Sequence, residues 1–250
     1  MKTLVYLLVV FIFLGCNSEN GNDCFQTEGN LVETNFTLAP FSKIRIEGEV
    51  SLIVRKGIVQ NVTVETGENL LNDIVVAVDE ETLIIRDSNN CNLFRDYGIT
   101  KAIVSTPVLT EIRNSSTYDV QSEGVLNFPE LTLSSNTEGE IENVRKSGDF
   151  YLTIASERLN VSANGQSIFY ISGNVTNAFL FFSDENPRFD GSNLIIEELQ
   201  IFQRSANKMI VNPQQKISGE IRGTGDVISL NRPTIVDVEE FFTGRLLFQD

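Results

Sequence analysis

Three charged residues in the second half of the chain have a spacing that could support acid–base chemistry. Asp184, Arg204 and Asp226 recur at intervals near twenty residues. On stacked strands about 4.8 Å apart, this spacing would bring an acid, a base and a second acid into one column. Carboxylates beside a cation are the groups that glycosidases and polysaccharide lyases need. The same column could equally be a solvated ladder of ion pairs, because opposite charges on neighbouring strands commonly stabilise a sheet.

The composition excludes most other catalytic machinery. The chain has no histidine, so Ser-His-Asp and Cys-His systems and the commonest zinc ligand are absent. Residues 223–226 resemble one copy of a calcium-binding repeat, but a single copy cannot surround a metal ion. We therefore expect neither a metal nor an organic cofactor. The net charge of −15 also argues against a nucleic-acid partner, because an acidic surface repels phosphates.

The first sixteen residues have the pattern of a lipoprotein export signal. Lys2 precedes an apolar run over residues 4–13, and a Leu-Gly-Cys sequence ends at Cys16. This pattern predicts cleavage before Cys16 and acylation of its sulfur. The run is too short to span a bilayer, which takes about 20 apolar residues. An ordinary secretory signal and an uncleaved anchor are the alternatives.

The predicted domain organisation follows from this signal. Residues 1–15 form the signal peptide, residues 16–23 a polar, flexible tether, and residues 24–250 one folded domain. The lipid would hold the protein at the membrane, since the acidic body cannot do so by charge. Asn17 after the cysteine favours the outer membrane of a two-membrane bacterium, on either its periplasmic or its outer face.

Two cysteines remain if Cys16 carries a lipid. Cys24 and Cys91 would then be free to form a disulfide in an oxidising compartment. Such a bridge would close a loop of about 68 residues and contribute roughly 4 kcal/mol in the chain-entropy model. Two unpaired thiols are the alternative, since spacing alone does not establish contact.

Short alternating apolar segments, divided by Gly, Asn, Asp, Ser and Pro, fill the predicted body. Residues 43–46, 50–54 and 74–78 are examples, and this alternation is typical of β-strands. Helical periodicity is nearly absent, and residues 67–73 could form a single turn. The sequence therefore predicts an all-β domain.

A weak repeat appears from about residue 100. Small or polar residues recur with a period near twenty, which predicts a single-stranded parallel β-helix, right-handed, with each rung stacked on the one before. A longer interval over residues 159–181 predicts an inserted strand or an enlarged loop. A β-sandwich is the competing interpretation, since strand periodicity does not distinguish rungs from hairpins. The recurring residues are Ser115, Ser135, Ser156, Ser183, Ser205, Thr224 and Thr243.

The apolar and aromatic residues predict which side chains enter the core. Neighbouring residues of a strand face opposite sides, so one of Phe181 and Phe182 lies inside and the other outside. Outward Phe on successive rungs would form an apolar stripe for a protein or sugar rings, unless loops cover them. The expected core residues are Leu131, Leu133, Leu152, Ile154, Leu180, Phe182, Leu199, Ile201, Ile217, Ile221 and Ile235, and further aromatic candidates are Phe169, Tyr170, Phe179, Phe189, Phe202, Phe241 and Phe242.

The order of several motifs resembles the putative auto-transporter adhesin head GIN domain, a β-helical module of envelope lipoproteins. The resemblance covers roughly residues 36–248 and implies a role in adhesion, with no catalytic residues to transfer. The motifs lie at residues 40–46, 65–71, 82–86, 101–112, 221–227 and 231–233.

We therefore expect a non-catalytic, lipid-anchored envelope protein that binds a protein or glycan at a cell surface. A polysaccharide-active enzyme that uses Asp184, Arg204 and Asp226 is one alternative. A purely structural envelope spacer is the other.

Overall fold

The computed structural model describes residues 23–89, 91–93, 95–139 and 144–249. Within these ranges it has eighteen strands and one short 3₁₀ helix, Leu71–Asp73. The all-β prediction is therefore confirmed. In the same ranges, no helix combines the length and hydrophobicity that crossing a bilayer requires. Cys16 and the predicted signal peptide lie outside the described residues.

The strands are numbered in chain order. They are β1 (Leu31–Phe36), β2 (Lys43–Gly48), β3 (Ser51–Lys56), β4 (Asn61–Gly67), β5 (Ile74–Asp79), β6 (Thr82–Asp87), β7 (Lys101–Thr106), β8 (Glu111–Ser116), β9 (Val120–Leu126), β10 (Glu130–Ser135), β11 (Phe150–Ala163), β12 (Ile168–Phe182), β13 (Arg188–Gln203), β14 (Met209–Val211), β15 (Pro213–Ile221), β16 (Val227–Ser229), β17 (Ile235–Glu240) and β18 (Leu246–Phe248).

The strands pair in two ladders whose inward side chains share one hydrophobic core. Ladder A has the order β1, β4, β7, β3, β9, β11, β12, β13, β14, β16, β18. Ladder B has the order β5, β6, β2, β8, β10, β11, β12, β13, β15, β17. The long strands β11, β12 and β13 belong to both ladders, because their first halves pair in ladder A and their second halves in ladder B.

The expectation of a wholly parallel stack in chain order needs correction. Among the described strands, the pairs β1–β4, β4–β7 and β5–β6 are antiparallel. In addition, β2 lies between β6 and β8 in ladder B, and β3 lies between β7 and β9 in ladder A. The physical reason is that alternation of apolar residues identifies a strand but carries no information about its partner.

Alternation of side chains sets the two faces of each ladder. In β2, Ile44 and Ile46 are buried while Lys43 and Arg45 lie on the outer face. The predicted core residues from Leu131 to Ile221 are all buried. Ile235 is the exception, with 52% of its surface exposed, because it pairs with the outward Lys216.

Inward aromatic residues contact each other in the core, both between β11 and β12 and along β12 itself. The rings of Phe150 and Phe169 lie 4.6 Å apart at 12°, and those of Phe169 and Phe182 lie 5.8 Å apart at 36°. All three side chains are fully buried. Phe182 is therefore the inward member of the predicted pair, and Phe181 is the outward one.

The enlarged loop lies earlier in the chain than predicted. Ser135 pairs with Ala163, and Ala163 pairs with Phe182. The rung from Ser135 to Ala163 is therefore longer than the rung from Ala163 to Phe182. The extra residues lie between β10 and β11 and not within residues 159–181. The marker Ser156 pairs with Val175 and so lies in a different column from Ser135, Ala163 and Phe182. This difference displaced the predicted phase of the repeat.

The disulfide prediction is confirmed. Cys24 and Cys91 are bonded, with their Cα atoms 4.6 Å apart. The backbone N–H of Leu93 also donates to the carbonyl oxygen of Cys24 at 3.2 Å. The bridge therefore fastens the start of the described chain to the connection between β6 and β7.

Asp149, at the start of β11, should make stability depend on pH. Its carboxylate accepts the backbone N–H of Ile168 at 2.7 Å, but burial, with the nearby negative charge of Asp119, raises its pKa above 3.8. A raised folded-state pKa contributes stability that is present below the unfolded pKa and is lost as the pH rises through the folded one. We therefore expect Asp149→Asn, which keeps the acceptor oxygen, to gain stability relative to the wild type as the pH rises.

The measurement is urea denaturation of both proteins at a series of pH values from 3 upwards. A difference in unfolding free energy between Asp149→Asn and the wild type that stays constant with pH would contradict this assignment.

Candidate binding surface

The outer face of ladder B has a groove of about 730 Å³ over strands β6, β2 and β8. It is open to solvent and is lined mainly by charged side chains. We call it the cationic groove after Lys43, Arg45, Arg86 and Arg113, which lie among its lining residues. Four cations in one groove stand out on a chain whose net charge is −15.

Two of these cations lie side by side on neighbouring strands. Arg45 and Arg113 are Cα partners in the parallel pair of β2 and β8. Like charges directly opposite each other on a sheet are destabilising. A carboxylate on the same strand offsets each of them, because Arg45 Nε lies 2.6 Å from Glu47 Oε1 and Arg113 Nε lies 3.6 Å from Glu111 Oε1.

Glu47 is the most enclosed charge of the groove. Only 7% of its side chain is exposed, and Arg86 Nη1 lies 3.5 Å from its second oxygen. Although Arg45 Nε and Glu47 Oε1 are in close contact, the two atoms are not aligned as a hydrogen bond and are both buried. The attraction between them is therefore electrostatic, and neither atom makes a hydrogen bond.

The loop after β10 holds Arg113 in position. Arg113 Nη1 donates to Asn136 Oδ1 and to the carbonyl oxygen of Glu138, each at 2.9 Å. Asn136 Oδ1 also accepts the backbone N–H of Glu138 at 3.1 Å, and its amide nitrogen donates to Ser162 Oγ at 2.8 Å. These bonds orient the guanidinium at the edge of the groove.

Outward phenylalanines lie further along the same ladder. The ring of Phe181 on β12 stacks on that of Phe202 on β13, with centroids 4.9 Å apart at 25°. Phe179 lies 5.9 Å from Phe181 on the same strand. All three are half-buried, so the predicted outward stripe is present on these two rungs. We call these three residues the phenylalanine cluster.

The cationic groove and the phenylalanine cluster belong to one column of outward residues. Neighbouring strands are about 4.8 Å apart, so about 24 Å separate the first and last positions of this column. The column changes from charged to hydroxyl to aromatic side chains. Its middle is covered, because Ser134 is only 3% exposed and Asn136 of the loop after β10 donates to Ser162 Oγ. In strand order its members are Arg45, Arg113, Ser134, Ser162, Phe181 and Phe202.

The register does not bring the three predicted site residues into a column. Gln203 pairs with Ile221, which sets Arg204 beside Arg222 at the next position. Asp226 instead precedes Val227, the partner of Met209. A rung is shorter here than the expected twenty residues, and the difference displaces Asp226 from Arg204.

Asp184 and Asp226 each accept a backbone N–H, Asp184 from its own turn and Asp226 from the following rung. Asp184 Oδ1 accepts the backbone N–H of Glu185 at 2.9 Å, and Asp226 Oδ1 accepts the backbone N–H of Arg245 at 2.9 Å. No ion pair joins Asp184, Arg204 and Asp226 in the described part of the chain. Nor do the described residues contain a cluster of three or more groups that could hold a metal ion.

The sequence contained a partial signal for the cationic groove. Lys43 and Arg45 alternate with two isoleucines, and Arg113 follows Ile112 in the same way, so outward cations on two strands could be predicted. The sequence does not show that β2 pairs with β8, because several strands lie between them in the chain. The opposition of Arg45 and Arg113 therefore depends on the fold.

Comparisons with known proteins agree with this architecture. The chain matches the family described as putative auto-transporter adhesin, head GIN domain, over residues 40–233. This is the family expected from the sequence motifs. No curated protein sequence matches the chain significantly.

Several solved structures share the fold. A putative adhesin from Bacteroides fragilis NCTC 9343 has 18% sequence identity and a TM-score of 0.79, with 89% of this chain and 99% of that chain covered. A putative adhesin from Parabacteroides merdae ATCC 43184 has 13% identity and a TM-score of 0.60, and the coverage is 89% and 98%. A putative lipid binding protein from Parabacteroides distasonis ATCC 8503 has 15% identity and a TM-score of 0.62, again with 89% and 98% covered.

At these identities the structures establish a shared fold and carry no information about the ligand. The family match is of a different kind, since it spans most of the chain and includes strands β2 to β16. The chain therefore belongs to the family of putative auto-transporter adhesin head GIN domains.

Proposed function

We propose that the protein is a non-catalytic binding module of the bacterial cell envelope, with the cationic groove as its principal binding surface. The ligand that fits this groove best is an acidic glycan. Membership of an adhesin-like family supports a place at the cell envelope or surface. We further propose that residues 1–15 are removed, that a lipid on Cys16 holds the protein at the outer membrane, and that residues 16–23 separate the domain from it.

The observation that carries the proposal is the opposition of Arg45 and Arg113. Two guanidinium groups on paired strands repel each other, and the protein tolerates this on an otherwise acidic surface. A carboxylate between them would accept charge-assisted hydrogen bonds from both, which are about twice as strong as neutral ones. A ligand of this kind would add to the offset that Glu47 and Glu111 provide.

The phenylalanine cluster supports a chain-like ligand over a single small anion. It lies about four to five strands from Arg45 along the same column, or roughly 20 to 24 Å. An acidic glycan could place a carboxylate at the cationic groove and a sugar ring against an aromatic side chain. We propose that the parallel part of both ladders is a right-handed β-helix, whose flat flank presents this track.

The enzyme alternative has weaker support. It required Asp184, Arg204 and Asp226 to converge, and each instead lies at a different position of the register. A structural spacer would need no face with opposed arginines. The proposed binding role accounts for that feature, and the other two roles do not.

The test is binding of the full chain, purified in a zwitterionic detergent, to an array of acidic and neutral glycans. We expect binding to acidic glycans, weakened at least tenfold by Arg113→Glu, because a hydrogen bond to a charged group contributes about 1.5–3 kcal/mol. Arg55→Glu is the matched control, since it makes the same charge change at an exposed residue of ladder A that pairs with Glu123. Equal losses in both variants, or no acidic ligand at all, would refute the proposal.

A further inference from the structure

A second groove lies on the outer face of ladder A, whose side chains differ in kind from those of the cationic groove. Its volume is about 520 Å³, and it is lined by two tyrosines and by short polar side chains, with one carboxylate. We call it the tyrosine groove. The residues that matter for its chemistry are Tyr151, Tyr170, Ser172, Asp190, Ser192 and Asn193.

The two tyrosines form a stacked pair at the groove's centre. Tyr151 on β11 and Tyr170 on β12 are Cα partners, and their ring centroids lie 4.8 Å apart with the planes 10° from parallel. Tyr151 has 41% of its surface exposed. The stack ends at Tyr170, because the outward residue on the next strand is Asp190. One face of the Tyr170 ring therefore stacks on Tyr151, and the other is turned towards Asp190 and not towards another ring.

An irregular strand forms the wall beyond Tyr170. Tyr170 pairs with Asp190, but Ser172 pairs with Asn193, so β13 has one extra residue here. A bulge of this kind redirects side chains and is frequent beside functional sites. It requires Gly191, because a Cβ atom at that position would lie 2.5 Å from Phe189 Cε1.

A second irregularity borders the opposite side of the groove. Tyr151 pairs with Gln121, while Thr153 pairs with Val125, so β9 also has extra residues. Ser122 in this bulge accepts the backbone N–H of Thr153 at 2.9 Å. The stacked tyrosines thus lie between two bulged strands, which widen the outer face of an otherwise regular ladder.

The bulge in β13 fixes the carboxylate of Asp190. Ser192 Oγ donates to Asp190 Oδ1 at 2.6 Å, and Arg188 Nη2 donates to Oδ2 at 2.8 Å. Burial alone would raise the pKa of Asp190, but the hydrogen bonds from Ser192 and Arg188 lower it below its usual value. The carboxylate is therefore ionised and oriented, and it retains capacity to accept a further hydrogen bond.

From this arrangement we propose that the tyrosine groove binds a neutral saccharide ring. The apolar face of the sugar packs on Tyr170, and a ring hydroxyl donates to Asp190, with Ser172 and Asn193 beside them as further polar partners. An aromatic ring next to a fixed acceptor matches a molecule with one apolar face and a polar rim. A neutral sugar is favoured over an acidic one, because the ionised Asp190 repels carboxylates.

This site is on the ladder opposite the cationic groove, and it does not depend on the proposed binding of acidic glycans. The test uses the full chain in a zwitterionic detergent with a panel of neutral oligosaccharides, and affinity is measured by titration calorimetry. The chain has no tryptophan and five tyrosines, two of which are in the groove, so a change in tyrosine fluorescence that is lost in Tyr170→Phe provides a second readout.

We expect Tyr170→Ala to weaken binding of a neutral oligosaccharide at least tenfold and Asp190→Asn at least threefold. Tyr170→Phe keeps the ring face and should bind within twofold of the wild type. Tyr97→Ala, which removes an exposed tyrosine from the connection between β6 and β7, is the control and should have no effect.

Three results would overturn the proposal. These are no binding of any neutral oligosaccharide, binding unchanged in Tyr170→Ala, and equal losses in Tyr170→Ala and Tyr97→Ala. Circular dichroism of each variant separates a lost site from a lost fold, and Asp190→Asn provides the test if Tyr170→Ala does not fold. Loss of acidic-glycan binding in Arg113→Glu with neutral binding retained would confirm that the two sites are separate.

Discussion

Phe182→Ala is expected to lower the free energy of unfolding by about 3–5 kcal/mol, the usual cost of removing a fully buried aromatic side chain. Phe182 is completely buried at the end of β12 and packs against Phe169 at 5.8 Å. Phe169 in turn stacks on Phe150 at 4.6 Å. The cavity would therefore open inside a column of rings that joins successive rungs, where the strands of both ladders limit collapse. Urea denaturation followed by circular dichroism measures the loss.

The neighbouring residue provides a matched control. Phe181 is on the same strand but faces outward, and its main contact is the stacked ring of Phe202. Phe181→Ala should cost clearly less than Phe182→Ala, because a half-buried outward ring loses less buried area and leaves no enclosed cavity. Equal destabilisation by Phe181→Ala and Phe182→Ala would show that the assignment of inner and outer faces on β12 is wrong.

Gly219→Ala is expected to destabilise the protein by about 2–5 kcal/mol, because it combines backbone strain with overpacking. Gly219 has φ of +122°, and a Cβ atom there would lie 1.9 Å from the carbonyl oxygen of Ile201 on the paired strand. A carbonyl oxygen in a ladder cannot move without breaking its hydrogen bonds. The substitution must therefore displace β15 from β13.

The damage should be local, because each rung of a stacked fold contacts only its neighbours. Hydrogen exchange followed by mass spectrometry should show lost protection in β15 to β18, with β2, β6 and β8 unchanged. Gly124→Ala is the control, since Gly124 also has a positive φ, +80°, but has no atom within 4 Å of the added Cβ. It should cost only about 1–2 kcal/mol. Equal effects of the two substitutions would rule out the close approach at Ile201 as the cause.

The strands near the N-terminal end show which features the local sequence pattern could predict and which it could not. Alternation in residues 43–46 predicted a strand with Ile44 and Ile46 inside, and both are buried. It also implied that Lys43 and Arg45 lie outside. The same reasoning could not show that β2 lies between β6 and β8. That insertion out of chain order creates the cationic groove, so alternation within single strands could not predict it.

The C-terminal half shows the opposite kind of failure. The sequence predicts the repeat with a period near twenty residues and one longer interval. The observed pairs Gln203 with Ile221 and Met209 with Val227 give a shorter rung. Arg204 in fact lies beside Arg222, so Asp226 is displaced by four residues from the predicted position. Site predictions in a stacked fold are therefore sensitive to register in a way that core predictions are not.

The bulges that shape the tyrosine groove had a weak signal in the sequence. Gly191 interrupts an alternating segment, and an isolated glycine in a strand often marks a bulge. Its effect on Ser192 and Asp190 required the structure, because the bulge exists only relative to the register of β12.

The sequence alone determined the all-β class, the inner and outer faces of most strands and the apolar core from Leu131 to Ile221. These features depend on residue type and on alternation between immediate neighbours, which the chain carries locally. Only the tertiary structure decided which strands are partners, how long each rung is and where two ladders bulge. Those properties depend on contacts between residues far apart in the chain, and they are what bring Arg45 to Arg113 and Tyr170 to Asp190.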